Sequence, residues 1–303
     1  MRERDSYPIS RRPGKQRWDD DDETRQSRTA KRLPAEDLHD AVDGLPSGDR
    51  WSVWDVSTAG ERGPEPHPSW LITDLGAVDT ELGMLKTGKE ADVILLERAV
   101  PGTDRACLLA SKRYRSSEHR MFHRDSGYLE GRRTRRSRDA RAVAKRTQYG
   151  RQAIAGQWAN AEFAALCLLH QNGAPVPYPV QIIGTELLLE FIGDPDGSAA
   201  PRLAQLRPDP GELTDLWEQL VQALVTLAQL GLAHGDLSPY NILVDHGRLV
   251  LIDVPQIVDV VANPQGPTFL DRDATVVANW FAARGLPGTD ALPALLRKEA
   301  GLH

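Results

Sequence analysis

The stretch HGDLSPYNILVDHGRLVLIDVPQ, His234 to Gln256, restricts the fold of this chain more than any other. Ile242-Leu243-Val244 and Leu249-Val250-Leu251-Ile252 are leucine-rich, β-branched runs of strand length. Between them Asp245-His246-Gly247-Arg248 has the length of a tight turn, with Gly247 able to supply a positive φ. A hairpin folded there leaves Asn241 and Asp253 at its open end. Opposed residues of paired strands have Cα atoms about 4.5–5.5 Å apart, so two oxygen donors would face one small volume. Asp236 adds a third a short way upstream. This set suits a hard divalent cation such as magnesium, which takes one or two carboxylates and completes its shell from phosphate and water.

The rest of the chain has room for such a site. Its 303 residues suffice for one large domain or two lobes with a substantial core. Charge is segregated: residues 19–23 are an acidic block, and the stretch from Lys112 to Arg151 is densely basic. No run approaches the roughly 20 apolar residues of a membrane helix, and the N-terminus lacks the apolar centre of a secretory signal. The expectation is a cytoplasmic protein without membrane contact. Two cysteines, Cys107 and Cys167, exclude a disulfide framework and read as buried, inert thiols.

Four segments follow from the pattern. Residues 1–48 are charged and aperiodic and predict a mobile tail. Residues 49–81 are a lead-in that Trp51, Trp54 and Trp70 would anchor to the folded body. Residues 82–192 read as a strand-rich lobe, with strands at 82–85, 91–97, 106–113, 180–183 and 187–192. A basic insertion at 114–151 and a helix at 152–171 interrupt it. Residues 193–303 read as mainly helical, with helices at 212–230, 268–284 and 290–300 around the hairpin. Strands first and helices later predict an α+β chain of two lobes with a cleft between them.

HGDLSPYNIL followed by LIDVPQ resembles the catalytic and metal-binding segments of the protein-kinase superfamily. More narrowly the chain resembles the RIO (right open reading frame) family of atypical serine/threonine kinases, and within it the type-one branch in its bacterial-like form. Asp236-Leu237-Ser238-Pro239-Tyr240-Asn241 and Ile252-Asp253-Val254-Pro255-Gln256 carry the resemblance. TGKEADV (87–93), SKRYR (111–115), WANAEF (158–163), LLEFIG (188–193) and FLDRD (269–273) extend it in order.

The resemblance implies a bilobal protein-kinase-like fold that lacks an activation segment, binding ATP with magnesium, or manganese as an alternative. Asp236 would orient or deprotonate the attacking hydroxyl or water, and Asn241 and Asp253 would hold the metal. Lys112 would contact the α/β-phosphates and pair with Glu162. Thr87, Gly88, Lys89 and Val93 would form a flap over the nucleotide, with Ser238 beside it. Glu190 to Ile192 would face adenine through backbone groups. His234 would brace the catalytic loop, and Asp273 would accept its backbone N–H groups. Asp253 is also a phospho-acceptor in this reading, as several family members use ATP as a switch in small-subunit ribosome assembly. A Walker A reading of 83–89 fails, because Glu90 stands where a Ser or Thr should ligate magnesium and a strand follows.

Partners implied are ATP, a protein substrate or the chain itself, and RNA or a ribosomal particle through the run Arg132, Arg133, Arg135, Arg136, Arg138 and Arg141. Position 255 is proline where the family often has serine, which removes a backbone donor after the metal strand. Two other functions stay open at this level. HGDLSPYN also satisfies the motif of small-molecule phosphotransferases acting on aminoglycosides or choline, although few residues remain after Asp253 for their substrate subdomain. The third is a non-catalytic, nucleotide-sensing module that docks on ribosomal particles.

Overall fold

The computed structural model describes residues 49–115, 148–255 and 257–302. The tail expected at 1–48, most of the basic insertion and Gln256 lie outside the described residues.

Strands β1 (Asp49–Trp51), β2 (Val78–Thr87), β3 (Ala91–Ala99) and β4 (Ala106–Tyr114) are followed by helix α1 (Gln148–Gln171) and strands β5 (Pro179–Ile183) and β6 (Glu186–Glu190). The six strands form one antiparallel sheet in the order β1-β2-β3-β4-β6-β5. The sheet starts earlier than the sequence pattern predicts, since β2 begins at Val78 and the lead-in adds β1 against it. Two register shifts in β2, at Glu81/Gly83 and Met84/Lys86, interrupt the alternation on which the shorter expectation rested. At the other end β6 stops at Glu190 rather than 192.

The sheet is strongly curled. Three strands separate β1 from β6, yet Arg50 on β1 donates to both carboxylate oxygens of Glu186 on β6, at 2.7 and 2.9 Å. Glu186 also accepts from Ser111 Oγ at 2.5 Å and Arg113 Nε at 2.9 Å. A second pair, Arg98 with Asp79, is fully buried and bidentate at 2.6 and 2.9 Å.

The lead-in crosses one face of this sheet and meets both edges. Trp54 and Leu71 pack with Leu96, Leu109, Tyr178, Val180 and Leu188. Arg62 bridges to Gln181 on β5, and Gly63 N donates to Val180 O at 3.0 Å. Covering β5 in this way protects an otherwise open strand edge. Trp54 is buried and Trp70 packs beside it, but Trp51 is exposed and does not serve as the anchor expected of it.

Below the sheet, α1 buries Ala155, Ala159, Phe163, Leu166 and Leu169 in the main core. α2 (Pro210–Gln229) begins with Pro210 after an Asp209 cap that accepts from Gly211 N and Glu212 N at 2.8 and 2.9 Å. It buries Leu213, Leu216, Leu220, Leu224 and Leu227 and stops before Gly231, which has φ 71°. β7 (Leu232–Ala233), β8 (Ile242–Asp245), β9 (Arg248–Leu251) and β10 (Val258–Asp259) follow, then α3 (Gly266–Ala282) and α4 (Leu292–Glu299). No helix among the described residues is long and apolar enough to cross a membrane. Cys107 and Cys167 are half-buried rather than buried, and burial pushes both thiols up, Cys167 to about 11.

The hairpin forms where expected but in a different register. Asp245 opposes Arg248 across His246-Gly247, whose φ values of 48° and 79° make a primed two-residue turn. Ile242 then opposes Leu251, and Ile252 N donates to Asn241 O at 3.0 Å. Asn241 therefore sits opposite Ile252, not Asp253. Asp253 lies one residue further on with φ 67°, a left-handed conformation that a non-glycine residue seldom adopts.

Candidate active site

The cleft is built around Lys112. On β4 it stands opposite Val93, its side chain buried below the sheet. Its Nζ lies 2.7 Å from Glu162 Oε1, on α1, and 2.7 Å from Asp253 Oδ1, beyond the hairpin. The expected Lys112–Glu162 pair is thus present, and it extends across the cleft to Asp253. Burial disfavours the Lys112 charge, but the Glu162 and Asp253 carboxylates outweigh it and raise its pKa. Burial likewise opposes ionisation of Asp253, and Lys112 overrides it, so the carboxyl is held below its ordinary range.

Sequence reading missed the other partner of Glu162. Tyr114 Oη donates to Glu162 Oε2, and the Tyr114 ring lies 5.3 Å from Lys112 Nζ. Burial, followed by the neighbouring Glu162 charge, raises the phenol pKa and keeps it a donor. A signal was there: residues two apart on a strand share a face, so Tyr114 had to accompany Lys112. With both oxygens engaged, a carboxylate only 1% exposed on an alanine-rich helix face has its physical explanation.

The loop that carries Asp236 is braced from below. Asp273 on α3 accepts Gly235 N at 2.7 Å and Leu237 N at 3.2 Å, as expected of it. Burial raises its pKa in spite of His234, those two N–H groups and Arg272. His234 Nε2 lies 3.1 Å from Ile252 O while Asp236 N donates to His234 Nδ1 at 3.4 Å, so the imidazole ties loop to hairpin. Arg272 Nη2 donates to Gly235 O and lies 4.0 Å from Asp236 Oδ1. Asp236 itself projects outward, its side chain 59% exposed. Ser238 precedes a 3-10 turn over Pro239–Asn241, and its carbonyl accepts Asn241 N at 2.9 Å. Asn241 Nδ2 donates to Asp236 O at 2.9 Å.

The flap residues divide. Gly88 N donates to Ala91 O at 2.9 Å, and a Cβ on Gly88 would stand 2.9 Å from that oxygen, so only glycine closes this turn. Thr87 is exposed on β2 opposite Asp92, whose carboxyl is held low chiefly by Arg115, bound at 2.8 and 2.6 Å. Lys89 is exposed at the flap tip. The flap lysine that reaches the cleft is Lys86, 3.8 Å from Asp253 Oδ2, a residue sequence reading passed over. In the connector, Glu190 uses both its N–H and its carboxylate on Tyr178, at 2.8 and 2.9 Å. Ile192 packs with Ala200 and Val250, with Leu243 and Ile252 against them, and its carbonyl accepts Ala200 N.

The donors available for a cation are one carboxylate, Asp253, and one amide, Asn241. No cluster of three or more His, Cys, Asp or Glu among the described residues could hold a metal. Asn241 gives its Nδ2 to Asp236 O, which leaves Oδ1 as its acceptor side. Two oxygen donors fit magnesium completed by phosphate and water, and would not fit a cation that needs an all-protein cage.

The sequence profile of the RIO domain matches residues 109–292. The RIO-type serine/threonine-protein kinase Rio1 of Haloferax volcanii is 33% identical over 215 residues, covering 71% of this chain and 67% of that protein. Serine/threonine-protein kinase rio1 of Schizosaccharomyces pombe is 29% identical over 264 residues, covering 84% of this chain but only 50% of the yeast protein. Among solved structures, the Rio2 kinase–ADP/Mg2+–phosphoaspartate complex from Chaetomium thermophilum has a TM-score of 0.47 at 21% identity, covering 71% of this chain and 62% of that one. The profile takes in more than half of the residues, and the chain belongs to the RIO domain family.

Proposed function

We propose that the chain is an ATP- and magnesium-dependent phosphotransferase of the RIO serine/threonine-kinase type, acting as a protein kinase, on itself among other substrates, or as an ATPase. The observation that carries this reading is the Lys112 bridge: one buried ammonium gripped by Glu162 and reaching Asp253 across the cleft. A structural ion pair needs no second carboxylate from the opposite lobe beside an outward-facing Asp236.

In this reading Lys112 binds the α/β-phosphates, and Asn241 and Asp253 hold the cation. Magnesium, when bound, neutralises charge on the phosphate oxygens. Asp236 orients a serine hydroxyl or a water in line with the γ-phosphorus and accepts its proton as the new P–O bond forms and the bond to the β–γ bridging oxygen breaks. Such base assistance contributes about 10²–10⁴ in rate. In the same reading the cluster of Ile192, Ala200 and Val250 would lie beneath adenine as its apolar support. Ribosome-linked action in the cytoplasm, through RNA contact by the arginine-rich run 132–141, belongs to the same proposal. RNA affinity that falls steeply with added salt would support that part.

The test is incubation of the purified chain with magnesium and γ-labelled ATP. Label on the protein or released phosphate supports the reading. Label appearing only on an added aminoglycoside or choline overturns it.

A further inference from the structure

Strand register places Lys86, Val93 and Lys112 in one row. Lys86 opposes Val93 between β2 and β3, and Val93 opposes Lys112 between β3 and β4. Directly opposed residues carry their side chains to the same face. Both lysines therefore rise from one face of the sheet, two strand spacings or about 10 Å apart at the backbone. Their ammonium groups converge on one carboxylate: Lys112 Nζ lies 2.7 Å from Asp253 Oδ1 and Lys86 Nζ 3.8 Å from Oδ2.

The two lysines differ in how they are held. Lys112 is buried and gripped by Glu162 as well, so it cannot leave without exposing a charge pair. Lys86 has a side chain 43% exposed and a loose contact with Asp253. It follows the register shift at Met84/Lys86, the kind of irregularity that re-aims a side chain.

We propose that Lys86 is a second phosphate-binding lysine, carried by the flap, which contacts the terminal phosphoryl group and so selects nucleoside triphosphate over diphosphate. The inference rests on the phosphotransferase reading above. A divalent cation on Asp253 sets positive charge against the Lys86 ammonium, and the two repel at such short range. The flexible lysine stem lets the ammonium turn away. The anionic oxygens nearest to it are then those of the phosphate bound to the same cation. Lys112, held by Glu162, stays on the inner phosphates.

Calorimetry on the full chain tests this, with magnesium and either the β,γ-imido analogue of ATP or ADP. Lys86→Met is expected to weaken binding of the triphosphate analogue about tenfold, the loss of one charge-assisted contact, and that of ADP by less than about twofold. Lys86→Arg should recover most of the loss. Equal weakening of both nucleotides, or an unchanged triphosphate affinity, overturns the proposal. Wild type that binds neither nucleotide overturns instead the phosphotransferase reading on which it rests.

Discussion

Lys112 and Asp253 meet at 2.7 Å across the cleft, and the same ammonium grips Glu162 at 2.7 Å, so one side chain joins the sheet, helix α1 and the end of the hairpin. Removing a partner from a buried pair costs about 3–5 kcal/mol, because the remaining charge is stranded. Glu162→Ala leaves Lys112 with Asp253 alone and should lower the unfolding free energy by up to about that amount in urea denaturation. It should also raise the KM for ATP, since Lys112 then loses its fixed position. An unchanged urea midpoint would mean that water already screens the pair.

Tyr114 offers a subtler probe of the same cluster. Phenylalanine at this position keeps the ring beside Lys112 but leaves Glu162 Oε2 without its buried donor. Tyr114→Phe is expected to cost about 1–3 kcal/mol, read as a fall in thermal midpoint. A melt that matches wild type would show that Glu162 finds another donor.

Much of this arrangement was legible in the sequence, for reasons that differ from residue to residue. Lys112, Glu162, Asp236, Asn241 and Asp253 each sit in a short motif whose residue types fit one chemistry, and the Lys112–Glu162 pair follows from them. The hairpin was legible because β-branched runs flank a two-residue turn, yet its register was not. His246 takes a positive φ with Gly247, which places Asn241 opposite Ile252. The strand β1 escaped notice because three residues carry no period, and its partner β2 is broken by two register shifts. Lys86 was passed over because nothing in a strand's alternation tells which of the two flap lysines, Lys86 or Lys89, reaches a carboxylate from the other lobe.

Asp273 accounts for the posture of the loop that carries Asp236. Its carboxylate takes the buried N–H groups of Gly235 and Leu237, on either side of Asp236. Asp273→Ala should lower kcat about 10²-fold with a smaller change in KM, since a small displacement of a positioned group has this effect on rate. Steady-state kinetics across ATP concentrations checks it; a change confined to KM would contradict the role.

The Glu186 network predicts a pH dependence of stability. Burial pushes the Glu186 carboxyl up, but Arg50, Ser111 and Arg113 outweigh it and hold it at about 2, against an ordinary 4.5. A carboxyl held low in the folded state stabilises at pH above its unfolded value and loses that contribution as pH falls toward its folded value. Unfolding free energy should therefore fall by about 2 kcal/mol between about pH 5 and about pH 3 from this group alone. Glu186→Gln should flatten the slope in urea denaturation at the two pH values. A mutant with the wild-type slope would place the acid sensitivity elsewhere.

Under the proposed function, Asp236 acts on an attacking hydroxyl or water while Lys112, Asn241 and Asp253 hold the nucleotide and its cation. Measuring phosphate release and self-labelling from magnesium–ATP together with the ATP Kd, for wild type and Asp236→Asn, tests it most directly. The predicted result is a fall in turnover of about 10²-fold or more with the Kd within about twofold of wild type. Turnover by Asp236→Asn equal to that of wild type would take Asp236 out of the chemistry.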